Sequence, residues 1–140
     1  MTVIAFDGKI LAADRQATLG DRRVTVSKIF KIRKAIVACS GALPYCLSLV
    51  DWYRGGADQK EFPEYKGEDE WGCLVVYDKG IKYYESRPFP IILQDPFAAW
   101  GSGGSYAMGA MAMGADARRA VEVAIRFDTG CGNGVEWFEV

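Results

Sequence analysis

Two short apolar runs at the start of the chain are separated by a turn signal. Residues 3–6 and 9–13 flank Asp7-Gly8, a dipeptide that tolerates the positive φ angles of a tight hairpin turn. The pattern therefore predicts two paired strands joined by a two-residue connection, with Thr2 at the start of the first strand.

The remaining hydrophobic pattern predicts further strands and three helices. A second pair of strands is expected at 24–26 and 28–32, and the helical periodicity after Gly41 carries Pro44 in its first turn. The other predicted elements, in chain order, are a strand at 35–39, a helix at 42–53, a charged loop at 55–70, a hairpin of 74–77 and 81–84, short strands at 91–93 and 97–100, a helix at 101–113, a helix from a cap at Asp116 to about 127, and a strand at 135–140. This order favours an α+β fold in which two antiparallel sheets carry helices on their outer faces.

Composition and charge fit one folded domain. The 140 residues suit a single domain over 1–140, with 50% hydrophobic and 25% charged residues. The formal net charge is −1, and the basic residues are scattered, so no footprint for nucleic acid exists. Asp7 interrupts the first apolar stretch and no later run reaches the length of a membrane span. We therefore expect a cytoplasmic protein without membrane contact.

The cysteines show no metal-binding pattern. Cys39, Cys46, Cys73 and Cys131 include no CxxC pair, and the chain has no histidine to complete a zinc site. We expect these cysteines to be buried free thiols in a reducing compartment. No metal and no cofactor are expected.

The lack of histidine also narrows the catalytic chemistry. Histidine is the usual general base near neutral pH, so Ser-His-Asp and Cys-His mechanisms within one chain are excluded. An N-terminal threonine needs no histidine, because its hydroxyl attacks a carbonyl while its own α-amine accepts the proton. Thr2 fits this chemistry once Met1 is removed. We expect ordinary aminopeptidases to remove Met1 without any propeptide.

The stretch Gly101-Ser102-Gly103-Gly104 has two other interpretations. Its glycines could offer backbone N–H groups to a phosphate at a helix start, but neither the full Walker pattern nor GxGxxG is present. A serine-hydrolase elbow needs GxSxG, and Trp100 takes the place of the first glycine. Both interpretations are weaker than the N-terminal site. Taken alone, Ser102 is most simply a helix N-cap.

Four sequence blocks occur in the order and approximate spacing of one enzyme family. They are AADRQATLG, SKIFKI followed by ACSGA, GSGGSYAMGA, and FDTGCGNG. Through them the chain resembles the proteasome β-subunit family, and most closely the HslV-type peptidases among the N-terminal nucleophile hydrolases. The resemblance implies a four-layer αββα sandwich of two antiparallel sheets. Because residues 55–99 are fewer than is usual in that family, the outer helical layer is expected to be reduced.

The resemblance implies roles for residues in these blocks. Thr2 is the expected nucleophile of a threonine-type peptidase. Lys28 is the expected cation beside its amine and hydroxyl, and Asp14 the carboxylate that orients Lys28. Gly41 matches the backbone donor of the oxyanion hole, although a helix-start glycine is the simpler interpretation of Gly41 alone.

A second group is expected to support the terminal amine. Ser102 matches the family serine that hydrogen-bonds near the amine, and Asp128 matches the acidic residue behind it. Cys131 stands where the family has a supporting serine, and a thiol is a weaker donor than a hydroxyl, so a lower rate is expected. Asp14 alone could be a turn residue and Lys28 alone a solvated charge. Their joint placement after Thr2 supports the catalytic interpretation.

Five uncharged residues match the primary specificity pocket of these peptidases, namely Ala17, Thr18, Phe30, Cys39 and Leu43. We therefore expect cleavage after a hydrophobic or aromatic residue. The alternative is that these residues are ordinary core positions.

The resemblance also implies assembly into a closed homo-oligomeric ring. Peptides or unfolded proteins are the expected substrates, and an ATP-driven unfoldase is a partner by analogy only. The methionine- and alanine-rich residues 108–113 could form a helix face for assembly or could pack within the subunit. Two other functions stay open: an N-terminal nucleophile amidase acting on small amides, and a catalytically silent member that keeps the fold as an assembly or binding scaffold.

Overall fold

A computed structural model describes residues 1–64, 72–77 and 79–140, with the side chains of 72–76 excluded. The strands are β1 (Ile4–Phe6), β2 (Ile10–Asp14), β3 (Gln16–Leu19), β4 (Arg22–Thr25), β5 (Ile29–Ile32), β6 (Ala35–Gly41), β7 (Gly72–Tyr77), β8 (Ile81–Tyr84), β9 (Ile91–Leu93), β10 (Ala98–Trp100) and β11 (Val135–Glu139). The helices are α1 (Leu43–Arg54), α2 (Gly104–Ala112) and α3 (Ala117–Phe127), and a short 3-10 helix covers Gln59–Glu61. Residue contacts divide the chain into two compact units, residues 1–29 with 95–140 and residues 30–94.

The first unit is built on a four-stranded sheet in the order β10-β1-β2-β11. All neighbouring strands in it are antiparallel. The predicted hairpin at the start of the chain is confirmed, with Phe6 opposite Leu11. Its connection comprises Asp7, Gly8 and Lys9 rather than two residues. The turn is wider because the Asp7 carboxylate accepts hydrogen bonds of 2.8 Å from the backbone N–H groups of residues 9 and 10.

Helices α2 and α3 pack against this sheet through small side chains. The buried cluster contains Val3 just before β1, Ala5 and Ala12 from the strands, and Ala107, Met111, Ala117, Ala120, Val121 and Ala124 from the helices. As predicted, Asp116 caps α3, and its carboxylate accepts a 2.9 Å hydrogen bond from Arg119 N. Asp7 adds a second acceptor at this helix end, 2.8 Å from Ala117 N. The first hairpin turn is therefore tied to the start of α3.

One predicted strand pairing is wrong. Strand β4 pairs with β3, whereas it was expected to pair with the strand around residue 29. The chain turns at Gly20, whose φ is +62°, so this hairpin closes before Lys28 is reached. Strand β5 pairs instead with β6. The sequence pattern missed β3 because two of its four residues are exposed and it has no apolar alternation.

The second unit holds a five-stranded sheet in the order β5-β6-β7-β8-β9. The predicted helix after Gly41 is confirmed as α1, with Pro44 in its first turn. Its apolar side packs in a buried cluster with Val37 of β6. The ring of Trp52 meets that of Tyr84 edge-on, with 5.3 Å between centroids. These contacts hold the C-terminal part of α1 against the sheet.

Cys39 and Cys46 form a disulfide, so the expectation of free thiols is wrong for this pair. The chain reverses at Gly41, whose φ is +108°, and returns as α1. This reversal brings the two Cα atoms to 5.6 Å, a distance suited to a disulfide, although the residues are seven positions apart. Cys131 is a buried free thiol. The side chain of Cys73 lies outside the described part of the chain.

The α+β class and the remaining predicted strands and helices are confirmed, with α2 beginning at Gly104 rather than at residue 101. In the described part of the second unit α1 is the one α-helix, in line with a reduced helical layer. Residues 65–70 of the predicted loop lie outside the described residues. A single domain over 1–140 stays a prediction. Among the described residues, none of the helices combines the length and apolar character needed to cross a membrane.

Candidate active site

Thr2 is held in place by the hairpin that follows it. Val3 exchanges hydrogen bonds with Asp14 at the end of β2: Val3 N donates to Asp14 Oδ1 at 3.1 Å, and Asp14 N donates to Val3 O at 3.2 Å. Thr2 is 4% exposed and Asp14 is 0% exposed. The hairpin therefore places the hydroxyl and the carboxylate together in the interior of the first unit.

The side chain of Lys28 reaches the same position. Its Nζ donates to Thr2 Oγ1 at 3.0 Å, to Asp14 Oδ1 at 2.8 Å and to the carbonyl oxygen of Met1 at 3.2 Å. An ammonium group has three donors, so each of them has an acceptor here. Lys28 is 4% exposed. A charge buried to this degree needs a counter-charge, which Asp14 supplies.

Backbone donors fix the Asp14 carboxylate. Lys28 and Val3 share Oδ1, while Oδ2 accepts from Gln16 N at 3.2 Å and from Gly132 N at 3.0 Å. Rotation of the carboxylate would break several of these bonds without offering replacements. The position of Lys28 Nζ relative to Thr2 is therefore set by a rigid acceptor.

The glycine-rich stretch before α2 closes on the backbone of Thr2. Gly103 N donates to Thr2 O at 3.1 Å. Gly101 has a φ of +90°, and a Cβ at this position would overlap the Thr2 carbonyl. A Cβ at Gly103 would lie 2.9 Å from the Cβ of Val3. These glycines therefore allow one backbone to approach another closely.

Ser102 faces the Thr2 nitrogen. Thr2 N donates to Ser102 Oγ at 3.2 Å, whereas α2 has Gly103 at its N-cap without a side-chain hydrogen bond. The N-cap interpretation of Ser102 is therefore wrong. Ser102 Oγ lies 4.0 Å from Cys131 Sγ, which donates to Asp128 Oδ2 at 3.5 Å. A chain of polar side chains thus leads from the Thr2 nitrogen to Asp128.

The pKa values of Asp128 and Cys131 are shifted in opposite directions. The hydrogen bond from Ser102 is the main factor that holds the pKa of Asp128 below its ordinary value, so Asp128 is ionised at neutral pH. Burial raises the pKa of Cys131 to about 12, and the negative charges of Asp14 and Asp128 add to the shift. The thiol is therefore protonated near neutral pH and acts as a weak donor, not as a nucleophile.

The structure brings together one group of the predicted site residues, namely Thr2, Asp14, Lys28, Ser102, Asp128 and Cys131. Their catalytic roles stay predictions. Gly41, Phe30, Cys39 and Leu43 belong to the second unit, so their oxyanion and pocket roles also stay predictions. Ala17 and Thr18 lie on β3 in the first unit, half-buried and exposed respectively.

Three residues that shape the site were not predicted to do so: Gln16, Gly101 and Gly132. Gln16 is buried, and its Nε2 donates to Thr129 O at 3.2 Å, which ties β3 to the segment that carries Gly132. The glycines stand inside two of the motif blocks, and that placement was their only signal. Gln16 also stands inside a motif block, AADRQATLG, but its burial was not expected because a polar residue in a short strand usually faces solvent.

The chain is similar over its whole length to solved structures with the same arrangement of strands and helices. BPH from Thiobacillus denitrificans has a TM-score of 0.75 at 23% identity, covering 100% of this chain and 97% of its own. The same protein in complex with epoxomicin has a TM-score of 0.74 at 21% identity, covering 100% and 98%. HslV from Trypanosoma brucei has a TM-score of 0.70 at 19% identity, covering 99% and 97%. This protein has the HslV fold.

The HslV fold confirms the fold that the four sequence blocks predicted. No family model and no curated protein matches the chain. At 19–23% identity, the similarity shows that the backbone folds correspond, but it does not establish that the proteins catalyse the same reaction. The activity of this HslV-fold protein must therefore be inferred from the contacts of its own side chains.

Gly101→Ala should destabilise the protein, because it places a methyl group against the Thr2 carbonyl and forces a left-handed φ. We expect the free energy of unfolding, measured by urea denaturation, to fall by about 2 kcal/mol or more. Gly109→Ala is the matched control, since Gly109 lies within α2 with open space around it, and alanine there should be neutral or stabilising. Equal stability of the two variants would contradict the close approach.

The Cys131 thiol should react with iodoacetamide slowly and with an unusual pH dependence. Because its pKa is raised to about 12, its labelling rate in the folded protein should still be rising at pH 10. In denaturant the same residue should level off above about pH 9, as a free thiol does. The raised pKa also means that its contribution to stability is present below the unfolded-state pKa and is lost as the pH rises towards 12. Mass spectrometry of the peptide containing residue 131 measures both rates, and a folded-state plateau near pH 9 would contradict the assignment.

Proposed function

We propose that this protein is a threonine-type peptidase that hydrolyses peptide bonds with Thr2 as its nucleophile. The observation that best supports this proposal is the buried contact of Lys28 Nζ with both Thr2 Oγ1 (3.0 Å) and Asp14 Oδ1 (2.8 Å). A fixed cation beside a hydroxyl stabilises the negative charge that develops on the oxygen during attack. The chain offers no histidine to act as base.

The base in this mechanism is the Thr2 α-amine, which becomes free when Met1 is removed. The amine accepts the hydroxyl proton, directly or through water, as Oγ1 attacks the substrate carbonyl carbon. Collapse of the tetrahedral intermediate breaks the C–N bond, and the protonated amine returns its proton to the leaving nitrogen. Water then hydrolyses the ester on Thr2, again with the amine as base. No external proton donor is needed over the cycle.

Removal of Met1 also changes the surroundings of Lys28. One of its three N–H groups donates to the Met1 carbonyl at 3.2 Å and loses that acceptor when the residue is cleaved off. The other two hydrogen bonds, to Thr2 and Asp14, do not involve Met1. The released N–H is then able to stabilise charge on Thr2 Oγ1 or on a nearby water.

The Ser102 hydroxyl and the Asp128 carboxylate are proposed to position the amine. Ser102 Oγ is 3.2 Å from the Thr2 nitrogen, and Asp128 is the ionised group behind it. When an N–H of the amine donates a hydrogen bond to Ser102, the lone pair of the amine points away from Ser102. The lone pair is then free to accept a proton, as a base must. Cys131 provides a weaker donor in this group, which favours a modest rate.

The substrate side of the proposal rests on residues outside this cluster. Gly41 N–H is the proposed oxyanion donor, and the proposed pocket is formed by Ala17, Thr18, Phe30, Cys39 and Leu43. Since the pocket residues are uncharged, a hydrophobic or aromatic residue is proposed before the cleaved bond. One of these five residues, Cys39, is bonded to Cys46 in a disulfide.

The proposed setting is a homo-oligomeric ring in the cytoplasm that acts on peptides or unfolded proteins, with an ATP-driven unfoldase as a partner by analogy only. Met113 is 89% exposed and Met108 is 38% exposed, so part of the 108–113 helix face is available to a second subunit, while Met111 packs internally. The Cys39–Cys46 disulfide is unusual for such a compartment, where thiols are generally kept reduced.

A scaffold without activity is the main alternative, and an amidase that acts on small amides is another. The scaffold is favoured by the thiol at Cys131, where the resembling family has a serine, and by the reduced outer helical layer. Intact-mass measurement separates the first alternative from the peptidase, because a scaffold has no need to lose Met1. Substrate profiling separates the amidase from the peptidase.

Thr2→Ala should abolish peptide hydrolysis while leaving the fold intact, because it removes the attacking oxygen and one acceptor of Lys28. We expect turnover of a fluorogenic peptide to fall by about a thousandfold or more. Thr2→Ser is the matched control, since it keeps both hydroxyl and amine and should keep measurable activity. Circular dichroism and size-exclusion chromatography check folding and assembly.

Epoxomicin is the first probe for this site, because the similar BPH protein forms a complex with it. It should bind the wild-type protein and Thr2→Ser more tightly than Thr2→Ala. Full activity of Thr2→Ala, or quantitative retention of Met1 in an active preparation, would refute Thr2 as the nucleophile. Retention of Met1 in an inactive preparation would favour the scaffold.

A panel of fluorogenic peptides that differ only in the residue before the cleaved bond tests the pocket. We expect Leu, Phe and Tyr substrates to be cleaved at least about tenfold faster than Glu or Arg substrates, because an uncharged pocket does not compensate the desolvation of a charge. The ratio of kcat/KM values is the readout. Equal or faster cleavage after Glu or Arg would show that the five residues do not line the pocket.

A further inference from the structure

The second unit contains an open cavity of about 580 Å³ that is lined by basic residues. The connection between β5 and β6, the turn before β8 and the segment after α1 surround it. Because β5, β6, β7 and β8 are neighbours in one sheet, both turns lie at the same end of that sheet. The lining includes four cationic side chains, Arg33, Lys34, Lys79 and Lys82, and two tyrosines, Tyr53 and Tyr84.

The positive charges of this cavity are not neutralised by described residues. Among the described residues, the lining includes no acidic side chain and none of the four cations forms an ion pair. Asp78, which precedes Lys79 in the sequence, lies outside the described residues. The formal net charge of the protein is −1, so the four described cations of the lining are a local concentration of positive charge on a nearly neutral chain. Like charges around one cavity repel each other, and a bound anion would relieve that repulsion.

Backbone conformation points to the same place. Among the described residues, four non-glycine positions have positive φ, and Arg33 (56°), Ala57 (57°) and Lys79 (60°) all line this cavity. A side chain in the left-handed region costs energy unless the local turn demands it. Here two of the three positions direct a basic residue from a turn to the cavity rim.

Stabilisation of a helix end explains one of the cations. Arg33 Nη2 donates to Arg54 O in the last turn of α1 at 3.2 Å, as expected for a basic group near a helix C-terminus. The three lysines make no such contact with a carbonyl of α1 among the described hydrogen bonds. Helix stabilisation alone therefore does not account for the cluster.

We infer that this cavity binds a multiply charged phosphate-bearing anion, of the size of a short polyphosphate chain or a nucleotide. Four cations match an anion with several charges better than a single carboxylate, which would neutralise one of them. A guanidinium group beside several ammonium groups is the set of donors that proteins use for phosphate. The volume lies in the range of small-molecule sites and exceeds that needed for one orthophosphate.

Inorganic tripolyphosphate is the probe, titrated into the full-length protein by isothermal calorimetry at low and at moderate salt. We expect saturable binding that weakens as salt screens the charges, with orthophosphate at least about tenfold weaker. Lys34→Gln/Lys79→Gln should weaken tripolyphosphate binding by at least about tenfold, since two charge-assisted contacts are lost. A titration with ATP distinguishes the two sources of the phosphate chain: tighter binding than tripolyphosphate indicates a nucleotide.

Lys31→Gln/Lys60→Gln is the matched control, because it removes two exposed lysines of the same unit that do not line the cavity. This variant should bind tripolyphosphate as the wild type does, and thermal unfolding should show that both double variants are folded. Equal weakening in the two variants would reduce the effect to overall charge and overturn the inference. So would the absence of saturable binding at millimolar tripolyphosphate, or tighter binding of a peptide α-carboxylate. None of these readouts depends on peptidase activity, so the outcome is independent of the proposed function.

Discussion

A buried ammonium group determines how the first unit is assembled. Lys28 Nζ has three acceptors within 3.2 Å and almost no access to water, so every acceptor must be held in place by the protein. Asp14 is the one that carries the counter-charge, and it is fixed in turn by backbone donors from the residue before β1, from β3 and from the segment before β11. Removing one partner would leave an uncompensated charge in the interior, which is far more costly than losing a surface ion pair. The same constraint that stabilises the unit also places a cation against the Thr2 hydroxyl.

Small residues surround this charge because the backbones around Thr2 lie close together. Gly101 and Gly103 allow the loop before α2 to contact the Thr2 carbonyl, and alanines let α2 and α3 pack on β1 and β2. A core of alanine buries less apolar surface per residue than one of leucine. The unit therefore relies on close backbone contact and on hydrogen bonds around Asp14 to a greater extent than a core of large side chains would. Precise placement of a few polar groups is the result.

Local patterns in the sequence predicted much of this structure. The first hairpin, α1 with Pro44 and α3 with its Asp116 cap all follow from turn, proline and capping preferences that act within a few residues. The cluster of Thr2, Asp14 and Lys28 could be predicted only from the order of the sequence motifs. Spacing alone does not bring positions 2, 14 and 28 together. The β3–β4 pairing and the Cys39–Cys46 disulfide were missed, because both depend on where the chain reverses, at Gly20 and Gly41. The basic cavity joins two turns that are far apart in sequence, so no local pattern indicates it.

The hydrogen bond from Gly132 N to Asp14 has a consequence for the timing of folding during synthesis. Asp14 and Lys28 are synthesised before the donor that completes the carboxylate's environment, because Gly132 follows Asp14 by 118 residues. A nascent chain therefore lacks the full set of partners until residue 132 has emerged. The completed surroundings of Thr2 therefore form only after this distant segment of the chain has been synthesised.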